Sequence, residues 1–190
     1  MKPARSVLSV VILLSSLVVT SCRLPGMIPL NQEPAGPMPT MEKDPDVLLE
    51  TLRGGEWVYL QSLAEEQYTE EDYAKPGRLT FTVNITDDTP TYFNYGWCTT
   101  TEEILQQNFE HIRVRLYFEG EELGEDVVHP VTFTRQDGFV CLDFGVLMSD
   151  WPPGEYELEA VATFDEKIND GADDFESGDY IYQYNVTVEE

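Results

Sequence analysis

The sequence predicts a mainly β domain: an antiparallel sandwich of seven to eight short strands with one short helix inserted. Three observations lead there. From Lys75 onward, apolar residues alternate with polar ones at period two, the spacing that sends successive side chains to opposite faces of a strand. Turn residues punctuate these runs: Pro76-Gly77, Asp87-Asp88-Thr89-Pro90, Gln136-Asp137-Gly138 and Pro153-Gly154. The chain also holds 10 tyrosines and 9 phenylalanines, whose flat rings pack well on a pleated surface.

The chain opens with Lys2 and Arg5, followed by an apolar run from Val7 to Val19. That run is shorter than the roughly 20 residues a membrane-spanning helix needs, and it suits the core of a signal peptide. It ends in Val19-Thr20-Ser21-Cys22, which resembles the lipobox of bacterial lipoproteins: an aliphatic residue, two small residues, then the cysteine. Thr20 departs from the more usual Ala or Gly. The resemblance implies removal of residues 1–21 and transfer of a diacylglycerol group to the Cys22 thiol. Anchoring by more than one acyl chain is stable where one is marginal. The membrane is then a partner through Cys22, and the place is the extracytoplasmic side of the cell membrane or envelope. Arg23 stands where retention-type lipoproteins carry an aspartate, which points outward only if the host has an outer membrane.

Residues 22–45 follow as a tether. Pro25, Pro29, Pro34, Pro37, Pro39 and Pro45 exclude a helix or a central strand, and the stretch reads as a semi-rigid solvated spacer. Extended, it reaches up to roughly 70 Å.

The domain proper is expected over 46–190. Its first part, 47–68, is open between helix and strand: Leu48, Leu49 and Leu52 have helical spacing, Gly54-Gly55 breaks it, and Trp57-Val58-Tyr59-Leu60 fits either. The strands then follow in order. Leu79, Phe81, Val83 and Ile85 share one face, and Phe93, Tyr95 and Trp97 share the next. Thr100–Phe109 reads as the helical insert crossing between the sheets, with Thr100 and Glu103 spaced as a capping box. Ile112, Val114, Leu116 and Phe118 resume the alternation, followed by Val131 and Phe133, then Val140, Leu142 and Phe144. The last two strands are expected at about 155–164 and 179–189.

The run Trp151-Pro152-Pro153-Gly154-Glu155-Tyr156-Glu157-Leu158 resembles the entry to a late strand in immunoglobulin-like and fibronectin-like domains. There a tyrosine at the corner bonds back to the backbone, a structural part that the resemblance assigns to Tyr156. It makes 155–164 strand F and 179–189 strand G. No tryptophan lies between Cys98 and Cys141, so the likeness is to an Ig-like sandwich and not to antibody domains. An interaction module is what such a fold implies by analogy.

Charge narrows the partners. With 36 acidic against 11 basic residues, the formal net charge is −25. Nucleic-acid backbones are bound by Lys and Arg through counterion release, so nucleic acid is excluded as a partner class. An anionic bilayer would repel the domain, leaving a covalent anchor as the route to a membrane.

Catalytic motifs are missing. His111 and His129 are read as surface residues, no Cys/His group has zinc spacing, and no phosphate loop or Gly-x-Ser-x-Gly elbow occurs. A glycosidase carboxylate pair stays open, because geometry rather than spacing defines it.

Acids gather at Glu65, Glu66, Glu70, Glu71 and Asp72, read as a solvated face, and along Asp165–Asp179. The second stretch is either a solvated loop between strands F and G or a cation site. In the latter, Asp170, Asp173, Asp174 and Glu176 would ligate calcium beside a second acidic turn at Asp87-Asp88. No other cofactor is expected. With Cys22 consumed, Cys98 and Cys141 remain in an oxidising compartment, out of phase with the apolar faces of their strands. A disulfide on a shared off-face is expected, with two buried free thiols as the alternative. The function expected is an anchored binding module for a protein or glycan, with an envelope structural protein and a glycan-active hydrolase as the alternatives.

Overall fold

The computed structural model describes residues 38–86, 88 and 90–189. The expected signal peptide, Cys22 and the tether as far as Pro37 therefore lie outside the described residues, as do Asp87 and Thr89. The tether expectation gives way at its far end. Thr40–Met41 forms a short strand, β1, so the sheets begin before residue 46.

The stretch left open becomes both helix and strand. Helix α1 spans Pro45–Gly54, with the Asp44 carboxylate accepting the Asp46 N–H at 2.9 Å and Pro45 in the first turn. Gly55, at φ 75°, ends the helix with its N–H donating to Thr51 O, a left-handed cap that a side chain would strain. Strand β2 is Val58–Tyr59, followed by a 3-10 turn at Leu60–Leu63 and a one-turn helix α2 at Glu70–Tyr73. The remaining strands are β3 Gly77–Thr86, β4 Thr91–Thr99, β5 Ile112–Phe118, β6 Glu121–Glu122, β7 His129–Thr134, β8 Val140–Ser149, β9 Gly154–Phe164, β10 Ile168–Asn169, β11 Asp174–Phe175 and β12 Gly178–Glu189. Helix α3 covers Glu102–Asn108 between β4 and β5. Its cap is Thr101, whose hydroxyl accepts the Ile104 N–H, one residue later than the expected Thr100 box. Where one helical insert was expected, α1 and α2 add two more.

The long strands divide between two sheets. In one the order is β2-β4-β8, with β7 and β1 sharing the far edge of β8; in the other it is β3-β12-β9-β5-β6. One core lies between them, with Phe93, Tyr95 and Trp97 of β4 facing Phe81, Tyr184 and Phe164 of the second sheet. Phe81 stacks on Tyr184 with centroids 4.9 Å apart, and Phe164 meets the Trp97 edge at 5.1 Å. Ala160 and Ala162 of β9 lie opposite Tyr182 and Tyr180, and their small side chains leave room for those rings.

The wholly antiparallel expectation is corrected at two places. β12 pairs with β3 in parallel, as β2 does with β4. Period-two patterning states which face of a strand is buried and is silent on the direction of its neighbour. Sequential strands here often enter opposite sheets, so in-sheet partners such as β3 and β12 come from distant parts of the chain.

The first acidic cluster is not simply solvated. Glu66 accepts from the Thr82 N–H and hydroxyl, Glu65 accepts from Asn84, and Tyr68 bonds the Thr80 backbone. These side chains occupy the outer edge of β3, an edge that would otherwise offer itself to another strand. The amide and hydroxyl donors of Thr82 hold the Glu66 carboxyl below the usual carboxylate range.

The expected disulfide is present. Cys98 and Cys141 face each other as register partners on β4 and β8, Cα atoms 4.0 Å apart, and close a 43-residue separation. Loss of that constraint on the unfolded chain is worth about 4 kcal/mol. The Cys98→Ala/Cys141→Ala double variant should therefore lose about that much unfolding free energy in urea, with an unchanged far-ultraviolet spectrum. A loss below about 1 kcal/mol would contradict the entropic account.

Candidate functional site

Four connections meet the sandwich at the end that the disulfide braces: 70–76 with α2, 100–111 with α3, the turn at 135–139, and 165–177 with the β10–β11 hairpin. The last of these was expected to be an open loop. Instead Asn169 and Asp170 turn the hairpin, their side-chain oxygens accepting from the Gly171, Ala172 and Asp173 N–H groups at 2.7–2.8 Å. Ile168 is buried, and Phe175 packs edge-on against Trp97 at 4.7 Å, so the hairpin extends the core.

The hairpin is also tied to the helical connection. The Thr100 N–H donates to Asp170 O at 2.8 Å, and the buried Asn108 amide donates to Asn169 O at 3.0 Å. His111 reaches Asp165 through Nδ1 at 2.9 Å and Glu166 through Nε2 at 3.3 Å. A Cβ on Gly171 would stand 1.8 Å from Thr100 Oγ1, and φ there is 99°, so this close approach depends on glycine. Between α3 and the hairpin runs an open groove of about 480 Å³, lined by Ile104, Gln107, Asn108, His111, Glu166 and Lys167.

The expected calcium ligands do not converge. Asp170 spends its carboxylate on the hairpin turn, while Lys167 Nζ contacts Asp174 at 3.2 Å and Glu176 at 3.1 Å. Hydrogen bonds from Asn169 and then Lys167 hold the Asp174 carboxyl low, and its bonds with Glu176 and Asp174 hold the Lys167 ammonium high. The chain's own lysine supplies the cation that the carboxylates need. Among the described residues no three His, Cys, Asp or Glu side chains are grouped to hold a metal. The second acidic turn is also far away. The 165–177 connection enters β12 beside Gly77, whereas β3 ends at Thr86 beside Glu189, the opposite end of a strand about 30 Å long. Tyr156, assigned to the corner, donates its hydroxyl to Pro152 O at 2.8 Å. Of the two histidines read as surface residues, His129 has its Nε2 buried without a hydrogen-bond partner among the described residues.

One polar group escaped the sequence reading. Asp143 lies on the outer face of β8 yet is only 4% exposed. Its carboxylate folds over Gly96 of β4, where a Cβ would come within 2.0 Å of Oδ1, and Oδ2 accepts from Asn94 at 2.9 Å. The Tyr92 ring similarly lies over Gly145, 2.4 Å from where a Cβ would be. Isolated glycines inside strands signal such close approaches, and Gly96 and Gly145 carried that signal. Burial pushes the Asp143 carboxyl up to about 6, against the opposing pull of Asn94.

That shift has a defined sign. The folded state holds the proton more tightly than the unfolded chain, so this group favours folding fully below pH 4. Its contribution is lost as pH rises from about 4 to 6. A carboxyl raised from its ordinary value to about 6 corresponds to about 3 kcal/mol. Asp143→Asn should therefore be more stable than the parent by up to about 3 kcal/mol at pH 7, converging with it near pH 4. Parallel stability curves for the two proteins from pH 4 to 7 would refute this.

No family model matches the chain, and no curated protein matches it. Among solved structures, PbICP-C, seen in complex with falcipain-2, aligns with a TM-score of 0.34 and 12% identity, over 61% of this chain and 92% of its own. The cysteine protease inhibitor EhICP2 from Entamoeba histolytica aligns with a TM-score of 0.31 and 6% identity, over 70% of this chain and 94% of its own. Likeness at that level leaves the function to be argued from this chain's own residues.

Proposed function

We propose that this chain is a lipid-anchored, extracytoplasmic binding module, an immunoglobulin-like sandwich that engages a protein partner with the end where α3 and the β10–β11 hairpin meet. The observation that carries this reading is the bracing of that end. Long connections ordinarily cost ordering entropy on binding, and here the cost is met in the free protein by the Thr100–Asp170 and Asn108–Asn169 hydrogen bonds and the disulfide beneath them. Surface connections on a rigid β scaffold are where binding groups are commonly carried.

The strand order supports the fold assignment. The series β4-β8-β7 follows the B-E-D order of that architecture and β12-β9-β5-β6 the G-F-C-C′ order, with β3 added beside β12, while β2 stands in the place of strand A but runs parallel to β4. The Tyr156 hydroxyl on Pro152 O fits the corner tyrosine. For the anchor, the support is the lipobox-like run ending at Cys22. From there to Thr40 the proline-rich chain spans about 50 Å when extended, enough to hold the domain clear of the bilayer.

The partner's chemistry follows from charge. Glu110 and Glu166 line the groove, and Glu102, Glu103, Asp165 and Asp173 are exposed on the same two connections, so a basic protein surface is the complementary one. Salt should therefore slow association.

Two measurements test the reading. Cys22→Ala should leave the chain unprocessed and unlabelled by a fatty-acid probe; unchanged labelling would remove the anchor. A photo-crosslinking residue at Gln107, in the intact chain on cells, should give a discrete protein adduct that weakens with salt. The same residue at Asn84, at the opposite end of the sandwich, should give none. No adduct from Gln107, or equal adducts from both positions, would refute the loop-end surface.

A further inference from the structure

We propose that the outer face of the β4–β8 sheet carries a separate site for the primary ammonium group of a small organic cation, with Trp57, Tyr59 and Tyr92 as its walls and Asp143 as its counter-ion. Two unmet requirements and an exposed ring coincide there. The Asp143 carboxyl is buried, and among the described residues no lysine or arginine pairs with it. Buried carboxylates are costly unless a cation accompanies them. The Tyr92 hydroxyl, on a side chain only 1% exposed, has no hydrogen-bond partner among the described residues. Finally, Tyr59 is 39% exposed, so its ring is the side of the cluster that meets solvent.

The three rings pack on one another edge-on or tilted, not layered as a stack. Trp57 meets Tyr59 at 4.6 Å and 79°, and Tyr92 at 5.5 Å and 76°, while Tyr59 and Tyr92 are 5.8 Å apart at 58°. Trp57 is fixed from behind, its indole N–H donating to Leu52 O at 2.9 Å. The negative charge of Asp143 reaches both tyrosines, since it adds to burial in raising the Tyr59 and Tyr92 hydroxyls. Aromatic faces attract cations, and more strongly where water is excluded. Of the organic cations, a primary ammonium answers every requirement. It has three N–H donors, enough for the Asp143 carboxylate and the Tyr92 oxygen together, and its charge is shared with the rings. A quaternary ammonium offers charge without donors and would leave Tyr92 unpartnered. Tyr59, as the exposed ring, is the wall that must move to admit the ligand.

The test is a titration of the intact protein with n-butylammonium chloride at pH 7.5, against sodium chloride of equal ionic strength, followed by tryptophan fluorescence and melting temperature. Trp97 and Trp151 are buried in the core, which leaves Trp57 as the responsive indole. The expected result is a saturable signal and a raised melting temperature, with tetramethylammonium binding at least several-fold more weakly. Asp143→Asn should weaken binding at least tenfold, and Tyr59→Ala, a change at an exposed ring, several-fold. Affinity should also fall below about pH 6 as Asp143 takes up its proton. No saturable response beyond that of sodium chloride would overturn the proposal. So would an unchanged midpoint in Asp143→Asn or in Tyr59→Ala.

Discussion

The β4–β8 pairing is the constraint on which both faces of this domain depend, because side chains on paired strands alternate with a period of two. Its register places Phe93, Tyr95, Trp97, Val146 and Met148 in the core, and Asn94, Gly96, Asp143 and Gly145 on the outer face. A slip of one residue would exchange those sets and bring a carboxylate against the rings of the opposite sheet. Cys98 and Cys141 lock the pair at one end. At the other, α1 covers Tyr92 and Leu147 with Leu48, which gives the outer face a small core of its own.

From that pairing the two candidate surfaces acquire different characters. The loop end is stiff: the hairpin extends the core through Ile168 and Phe175, and its polar groups are satisfied by one another. Stiffness there favours recognition of a surface with little ordering left to be done on binding. The outer face is the reverse, well packed around polar groups that are left incompletely satisfied. Asp143 remains there at a cost to stability at neutral pH, and such costs recur where a group is retained for function.

The excess of acid shapes the rest of the surface without dictating the fold. At several places a nearby cation or amide answers the carboxylates. Arg78 bridges Glu159 and Gln183 across the second sheet, Lys167 joins Asp174 to Glu176, and Lys43 meets Asp126 at 2.8 Å. Exposed pairs of this kind add little to stability individually. Their effect is local: in the hairpin, Lys167 occupies the place that a bound cation would otherwise take.

What the sequence determined by itself was which residues face inward. Alternation along Leu79–Ile85, Ile112–Phe118 and Tyr180–Val188 reports the buried face directly, since each position's side is set by local backbone geometry. The off-phase positions of Cys98 and Cys141 made their disulfide legible for the same reason. Which strands became neighbours, and in which direction, was decided only in three dimensions. The parallel β3–β12 pair joins segments about a hundred residues apart, and no local pattern encodes that meeting. The misplaced cation site has the same origin: Asp170, Asp173, Asp174 and Glu176 are close in sequence, but the hairpin turns one into its own backbone and gives two to Lys167. Asp143 is the clearest case. On paper it is an ordinary polar residue on the outward side of a strand. Only the packing of Tyr92, Asn94 and the two glycines around it produces a buried carboxylate, because burial belongs to the assembled sheet and not to any one residue.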